Sequence, residues 1–160
     1  GAFQLATVVS DDLMGGWTNR TTSEFGYRFR GKAYHKRGWT TPLLWTSETP
    51  TLASVCEEVR ICIYRLAYIR QHGYAQTLGE MLAQEGYALA MAGATTPTLD
   101  AEDLAYTRAV LSEHRQATGE PTQIAALFGD EAARELGYTP LGLSPRAGFA
   151  LALHEAKQQQ

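Results

Sequence analysis

The chain has 160 residues, a formal net charge of −3 at pH 7, 44% hydrophobic residues and 19% charged residues. A globular chain of this length buries roughly 70% of its unfolded surface, and this composition is not that of a disordered protein. No apolar run approaches the roughly 18 residues that a membrane-spanning helix needs. The composition therefore predicts a soluble globular protein of one domain, residues 1–160, without a transmembrane segment.

The first 46 residues have the pattern of β-structure. The residues Phe3, Leu5, Thr7 and Val9 alternate with Gln4, Ala6 and Val8, which predicts a half-buried strand over 3–9. Turn-forming residues follow it over 10–16. Aromatic residues alternate with arginines over 25–30, which predicts a second strand. A third is predicted over 39–46, where Pro42 favours an edge position or a bulge. We predict that the three strands form an antiparallel meander.

The remaining residues have the caps and the apolar spacing of helices. A long first helix is predicted to begin at Thr49-Pro50 and to end at Gly73. Its apolar face is predicted to comprise Leu52, Val55, Cys56, Val59, Cys62, Ile63, Leu66 and Ile69. Further helices are predicted to begin at the capping box Thr77-Leu78-Gly79-Glu80, at the cap Asp100, near Thr122, at Asp130 and at Ser144-Pro145.

The order of these elements predicts the fold class. The helices follow the strands in a block instead of alternating with them, which argues against a doubly wound α/β sheet. We therefore predict an α+β fold, with an N-terminal antiparallel three-stranded meander (1–46) packed against a C-terminal block of five or six helices (47–160). Both parts are expected to form a single domain, because three strands with one apolar face need helices to cover them.

The two cysteines, Cys56 and Cys62, lie six positions apart within the first predicted helix. At about 100° per residue, their side chains point some 120° apart, and this geometry does not allow a disulfide. We interpret both as small buried residues in a reducing compartment, and we therefore expect a cytoplasmic protein.

Positive charge is concentrated in residues 27–37, YRFRGKAYHKR. This stretch holds five of the chain's 14 lysines and arginines and no acidic residue. Through residue 46 the chain has six basic and three acidic residues, whereas the remainder has eight basic and 14 acidic residues. A local positive patch on an acidic protein is a candidate contact surface for an anion.

This patch contains the first candidate binding site. On a strand, Arg28 and Arg30 would project the same way, with Lys36 in the following loop and Tyr34 available for stacking. Together with Arg20, these residues are predicted to contact an anionic small molecule or an acidic protein surface. Nucleic acid is disfavoured because the rest of the chain is acidic. An alternative that stays open is a solvated hairpin whose charges protect a sheet edge from aggregation.

The second candidate site is the loop that runs from Asp11 to Arg20. Adjacent carboxylates in a glycine-rich loop are suited to a hard cation or to acid and base chemistry, and Asn19 and Arg20 supply polar partners. The alternative function is therefore a small enzyme, metal-assisted or not, that uses Asp11, Asp12 and Asn19. A plainer interpretation is a turn in which the aspartates make local hydrogen bonds.

No catalytic motif decides between these hypotheses. The sequence lacks a P-loop, a GxGxxG, a GxSxG elbow and an HExxH, and neither its four histidines nor its two cysteines have metal-site spacing. We therefore predict no cofactor and no metal ligands, and we leave open whether the protein is an enzyme. The leading hypothesis is a small binding or interaction module with a local basic patch.

Overall fold

A computed structural model describes residues 3–13 and 18–159, and it divides into two compact units, Gly1–Tyr74 and Ala75–Gln160. The first unit contains β1 (Gln4–Leu5), β2 (Val8–Ser10), α1 (Arg20–Phe29), α2 (Lys32–Lys36), β3 (Trp39–Thr40), β4 (Leu43–Trp45) and α3 (Leu52–His72). The second contains α4 (Leu78–Ala92), α5 (Ala101–His114), α6 (Glu120–Phe128), α7 (Asp130–Glu135) and α8 (Ala147–Gln158). The prediction of a single domain stays a prediction. Within the described residues, no helix combines the length and the apolar character needed to cross a membrane.

The strands of the first unit pair in parallel. β1 pairs with β3 and β2 pairs with β4, and both ladders join residues 35 positions apart, from Gln4 with Trp39 to Ser10 with Trp45. The two ladders therefore share one register and are separated by a short break. The break falls at Pro42, which has no N–H to donate to a ladder, although its carbonyl still accepts a hydrogen bond from the Val8 N–H at 3.0 Å.

The predicted antiparallel three-stranded meander is wrong. Residues 25–30, predicted as its middle strand, belong mainly to α1, which ends at Phe29. The strands at 4–10 and 39–45 are consequently joined by a helical crossover instead of a hairpin. Such a crossover brings the chain back to the edge of the sheet at which the first strand began, so the two strands run parallel. The helix-rich α+β composition is what remains of the predicted fold class. Residues 14–16 of the predicted turn lie outside the described residues.

The first helix, α1, is specified by a cap and by a buried stripe. The Asn19 side chain accepts a hydrogen bond from the Thr22 N–H at 3.0 Å, which satisfies a free donor of the first turn. Its buried residues have the i, i+3, i+4, i+7, i+8 spacing of one helix face: Thr21, Glu24, Phe25, Arg28 and Phe29. Arg28 can lie on this face because Glu24, one turn earlier, pairs with it at 2.7 Å.

The long helix α3 begins later than predicted and buries a different face. Thr51, not Thr49, is its cap, and Ser54 completes a capping box. Its buried residues are Ile61, Cys62, Arg65, Leu66 and Ile69. Leu52 and Ile63, both predicted to lie inside, are 82% and 50% exposed. The buried face therefore turns toward Ile61 and includes a charged residue, which the apolar spacing alone does not indicate.

Both cysteines of α3 are free thiols, as their spacing predicts. Cys62 is buried, but Cys56 is exposed, so the interpretation of Cys56 as a buried residue is wrong. Cys56 is exposed because it lies near the start of α3, where the helix is exposed, whereas the buried residues of α3 begin at Ile61.

The second unit is a helical bundle in which α4 packs chiefly against α8. The predicted capping box of Thr77 and Glu80 and the predicted cap Asp100 are confirmed as the starts of α4 and α5. The two helices bury apolar side chains in the core, among them Leu78, Met81, Leu82, Leu89, Phe149, Ala150 and Leu153. The last helix begins at Ala147, slightly after the predicted Ser144-Pro145. Local caps and apolar spacing therefore define this unit well.

Candidate functional site

The carboxyl ends of β2 and β4 meet at Asp12. Its Oδ1 accepts a hydrogen bond from the Ser47 N–H at 2.8 Å and shares the Thr46 hydroxyl proton, at 3.2 Å, with Asp11. Its Oδ2 accepts one from the Ser47 hydroxyl at 2.6 Å and faces the Arg20 guanidinium at 3.1 Å. The Ser47 hydroxyl is the main reason why the pKa of Asp12 falls from 3.8 to about 2. Asp12 is therefore ionised and fully bonded at neutral pH.

Arg20 ties this junction to the start of α1. Besides Asp12, it forms an ion pair with Glu48 and donates a hydrogen bond to the Ser47 hydroxyl at 3.3 Å. Its guanidinium also lies 4.9 Å from the ring centroid of Trp45. Arg20 was predicted to contact an external anion, but in the structure it is occupied by two carboxylates of its own chain.

Asp11 and Asn19 are likewise engaged. Asp11 Oδ1 accepts hydrogen bonds from the Thr46 hydroxyl at 2.9 Å and from the Leu13 N–H at 3.0 Å. Asn19 caps α1 with its side-chain oxygen. Within residues 3–13 and 18–159, no three His, Cys, Asp or Glu side chains are grouped to hold a metal ion. A cation bound at Asp12 would have to displace Arg20 or Ser47, so the loop side chains have the geometry of a structural tie.

Acid is expected to loosen this tie. Because the pKa of Asp12 is lowered on folding, the bonded carboxylate stabilises the first unit above pH 4, and this stabilisation is lost as the pH falls through about 2. In Asp12→Asn, the difference in urea midpoint between pH 5 and pH 2.5 should become smaller than in the unmodified protein. Tryptophan fluorescence measures this midpoint, and an unchanged pH dependence would show that Asp12 is not the titrating group.

The structure separates the two arginines that the sequence placed together. Arg28 is buried and paired with Glu24, whereas Arg30 is exposed, with its guanidinium 5.5 Å from the ring centroid of Phe25. The expectation that both project the same way depended on a strand and is wrong, because Arg28 lies on the buried face of α1 and Arg30 follows the end of that helix. Arg28 consequently contributes nothing to an exposed patch.

Four exposed cations around α2 remain, and we call them the basic surface: Arg30, Lys32, Lys36 and Arg37. Tyr34 lies among them, 52% exposed, with its ring stacked on Tyr27 at a centroid distance of 6.2 Å. Lys32 Nζ lies 5.6 Å from the Tyr74 ring centroid. Within the described part of the chain, no carboxylate forms an ion pair with Lys32, Lys36 or Arg37. The predicted residues Arg30, Tyr34 and Lys36 thus lie on one surface.

A small polar recess adjoins this surface. It is lined by Tyr27, Gly31, Tyr34, His35, Thr40, Thr41, Cys62, Arg65 and Leu66. Its cavity volume of about 10 Å³ corresponds to roughly one water molecule. Burial, followed by the charge of Arg65, lowers the pKa of His35 below 6.5, so this histidine is mainly neutral at pH 7. Burial raises the pKa of the Cys62 thiol to about 11, which makes it a poor nucleophile.

The interior charges of the first unit were missed by the sequence analysis. Glu24, Arg28 and Arg65 are each less than a tenth exposed. The Cys62 sulfur lies 3.6 Å from both Glu58 Oε1 and Arg65 Nη1. The four-residue spacing of Glu24 and Arg28 on a helix was the signal that could have found the first pair. It was masked by the apparent alternation of arginines with aromatic residues.

Comparison with known proteins assigns no activity to this site. The chain is 32% identical over 99 residues to "Uncharacterized protein YjfC" of Bacillus subtilis (strain 168), a match that covers 56% of this chain and 33% of that protein. The chain therefore spans about a third of the length of this relative. No family model matches the chain. No solved structure matches it either.

Proposed function

We propose that the protein is a binding module whose basic surface docks an acidic protein segment. The observation that carries this proposal is the set of exposed cations Lys32, Lys36 and Arg37, which have no carboxylate partner in the described part of the chain. Cations without an internal partner retain their attraction for an external anion, whereas Arg20 and Arg28 are already neutralised by their own chain. We place the module in the cytoplasm, where its two free thiols would stay reduced.

The shape of the surface favours an extended anion over an enclosed small molecule. The adjoining recess admits roughly one water molecule, so it offers no cavity for a metabolite. The cations are instead spread over one short helix and its two ends, from Arg30 to Arg37. Tyr34 adds an exposed ring that can cover an apolar side chain of the partner while its hydroxyl stays hydrated. An acidic segment lying along α2 can contact several of these groups at once.

Charge reversal on the basic surface is expected to weaken this binding. The triple variant K32E/K36E/R37E should bind a fluorescein-labelled decaglutamate peptide about 3-fold to 100-fold more weakly, because three exposed ion pairs together contribute about 0.6–3 kcal/mol and 1.4 kcal/mol equals tenfold. Fluorescence anisotropy at low ionic strength measures the affinity. Binding to the unmodified protein should also weaken in 0.15 M salt, since the charges are exposed.

Arg60 offers a matched control. It is exposed on α3, and Arg60→Glu changes the net charge by as much as Lys36→Glu does. If the basic surface is the site, Lys36→Glu should weaken peptide binding and Arg60→Glu should leave it nearly unchanged. Equal effects would indicate a response to net charge only, and an absence of saturable peptide binding would refute the proposal. Competition by millimolar inorganic phosphate as strong as that by the peptide would identify a small anion as the ligand instead.

A further inference from the structure

A second cavity in the first unit has a different chemistry from the basic surface. It has a volume of about 320 Å³ and is lined by Phe3, Leu5, Thr40, Ile63, Leu66, Ala67 and Arg70. Ligand pockets span about 300–1,000 Å³ and are lined mainly by apolar side chains, so this cavity falls at the small end of that range. It contains none of the four cations of the basic surface.

The cavity accounts for apolar side chains that are not covered by protein. Ile63 is 50% exposed and Leu5 is 40% exposed, although both are apolar residues of regular elements. Ile63 lies on α3 beside Ala67, one turn later, and Leu5 lies in β1. The open wall of the cavity is therefore an apolar surface formed jointly by a helix and a strand, which an aliphatic group would remove from water.

Arg70 gives this apolar cavity one charged wall. Its guanidinium carbon lies 3.6 Å from the ring centroid of Phe3, so its flat face is stacked on the aromatic ring. Within the described residues, the Arg70 guanidinium forms no ion pair and no hydrogen bond. Stacking uses the face of a guanidinium and leaves the N–H groups at its edge available, in the fork geometry that matches a carboxylate.

We propose that this cavity binds a small amphipathic carboxylate, with the aliphatic chain against Leu5, Ile63 and Ala67 and the carboxylate on Arg70. A purely apolar ligand would leave the guanidinium unused, and a compact anion such as sulfate would leave the apolar walls exposed. A medium-chain fatty acid matches both features. This site is separate from the basic surface and does not depend on its proposed function.

Octanoate is the probe for this site. Titrated into the full chain, it should bind saturably and shift the ¹H–¹⁵N signals of Leu5, Ile63 and Ala67. The neutral analogue octan-1-ol should bind more weakly than octanoate. In Arg70→Gln, we expect the affinity for octanoate to fall at least fivefold and to approach that for octan-1-ol, because the charged contact has been lost while the apolar walls are retained.

A second variant tests the apolar part independently. Ala67 is exposed on α3, so Ala67→Phe should fold normally while its ring fills the cavity and abolishes binding of both probes. An unchanged urea midpoint by tryptophan fluorescence checks the fold. The triple variant of the basic surface should bind octanoate like the unmodified protein. The proposal is overturned if octanoate causes no saturable shifts, or if either Arg70→Gln or Ala67→Phe leaves its affinity unchanged.

Discussion

Replacing Arg28 by leucine is expected to destabilise the first unit by about 3–5 kcal/mol, because it removes the buried guanidinium that pairs with the buried Glu24 carboxylate. Both side chains are less than a tenth exposed, and their ion pair spans 2.7 Å between successive turns of α1. Urea unfolding followed by tryptophan fluorescence isolates this unit, since all three tryptophans of the chain, Trp17, Trp39 and Trp45, lie in it.

Two further variants serve as controls for this experiment. Arg30→Leu, two positions away and exposed, removes only a guanidinium contact with the Phe25 ring and should change the free energy of unfolding by no more than about 1 kcal/mol. The double variant Glu24→Leu with Arg28→Leu should recover part of the loss, because it removes both charges of this pair from the interior. Equal losses in Arg28→Leu and Arg30→Leu would contradict the burial of Arg28. They would also remove the reason for excluding it from the basic surface.

The same arginine explains why the β-structure of the first unit was mispredicted. Phe25, Phe29 and the arginines between them fit a period of two if every charge is assumed to face water. They fit a helix only if Arg28 is buried, and that requires its partner Glu24 on the preceding turn. Sequence patterns alone do not show which charges are paired inside a protein, so the period was assigned to the wrong element.

The wrong prediction of antiparallel pairing follows from that single error. Three strands in sequence favour hairpins, whereas two strands separated by helices favour a crossover and a parallel ladder. Once α1 is assigned as a helix, the strands at 4–10 and 39–45 become the two arms of such a unit. The second unit gave no comparable difficulty, because the caps Thr77 and Asp100 act locally and need no partner from elsewhere in the chain.

The candidate sites were only partly readable in the sequence. The concentration of positive charge around Lys36 is a property of composition and was found. The pairing of Arg20 with Asp12 and Glu48 joins residues 8 and 28 positions apart and needs the fold. The cavity beside Arg70 was missed for a similar reason, because its walls come from both β1 and α3. Exposed Ile63 within an apolar helix pattern became informative only after the strands had been placed beside it.

In the second unit, the substitution Gly86→Ala is expected to destabilise the bundle by about 1–3 kcal/mol. An added Cβ would lie 2.6 Å from the backbone oxygen of Ala152 on α8, and a backbone atom cannot rotate away as a side chain can. The intrinsic preference of alanine for helices, worth up to about 1 kcal/mol, acts in the opposite direction and should be outweighed. Hydrogen exchange of the α4 and α8 amides measures the change.

Gly26 allows the same substitution in a helix that has room for a methyl group. It lies within α1, and an added Cβ would meet no atom within 4 Å. Gly26→Ala should therefore stabilise the first unit by up to about 1 kcal/mol, the ordinary gain for this substitution in a helix. Opposite signs at the two positions would separate helix propensity from steric contact. Slower exchange of the α4 amides in Gly86→Ala would mean that α4 and α8 are not packed as closely as their backbones indicate.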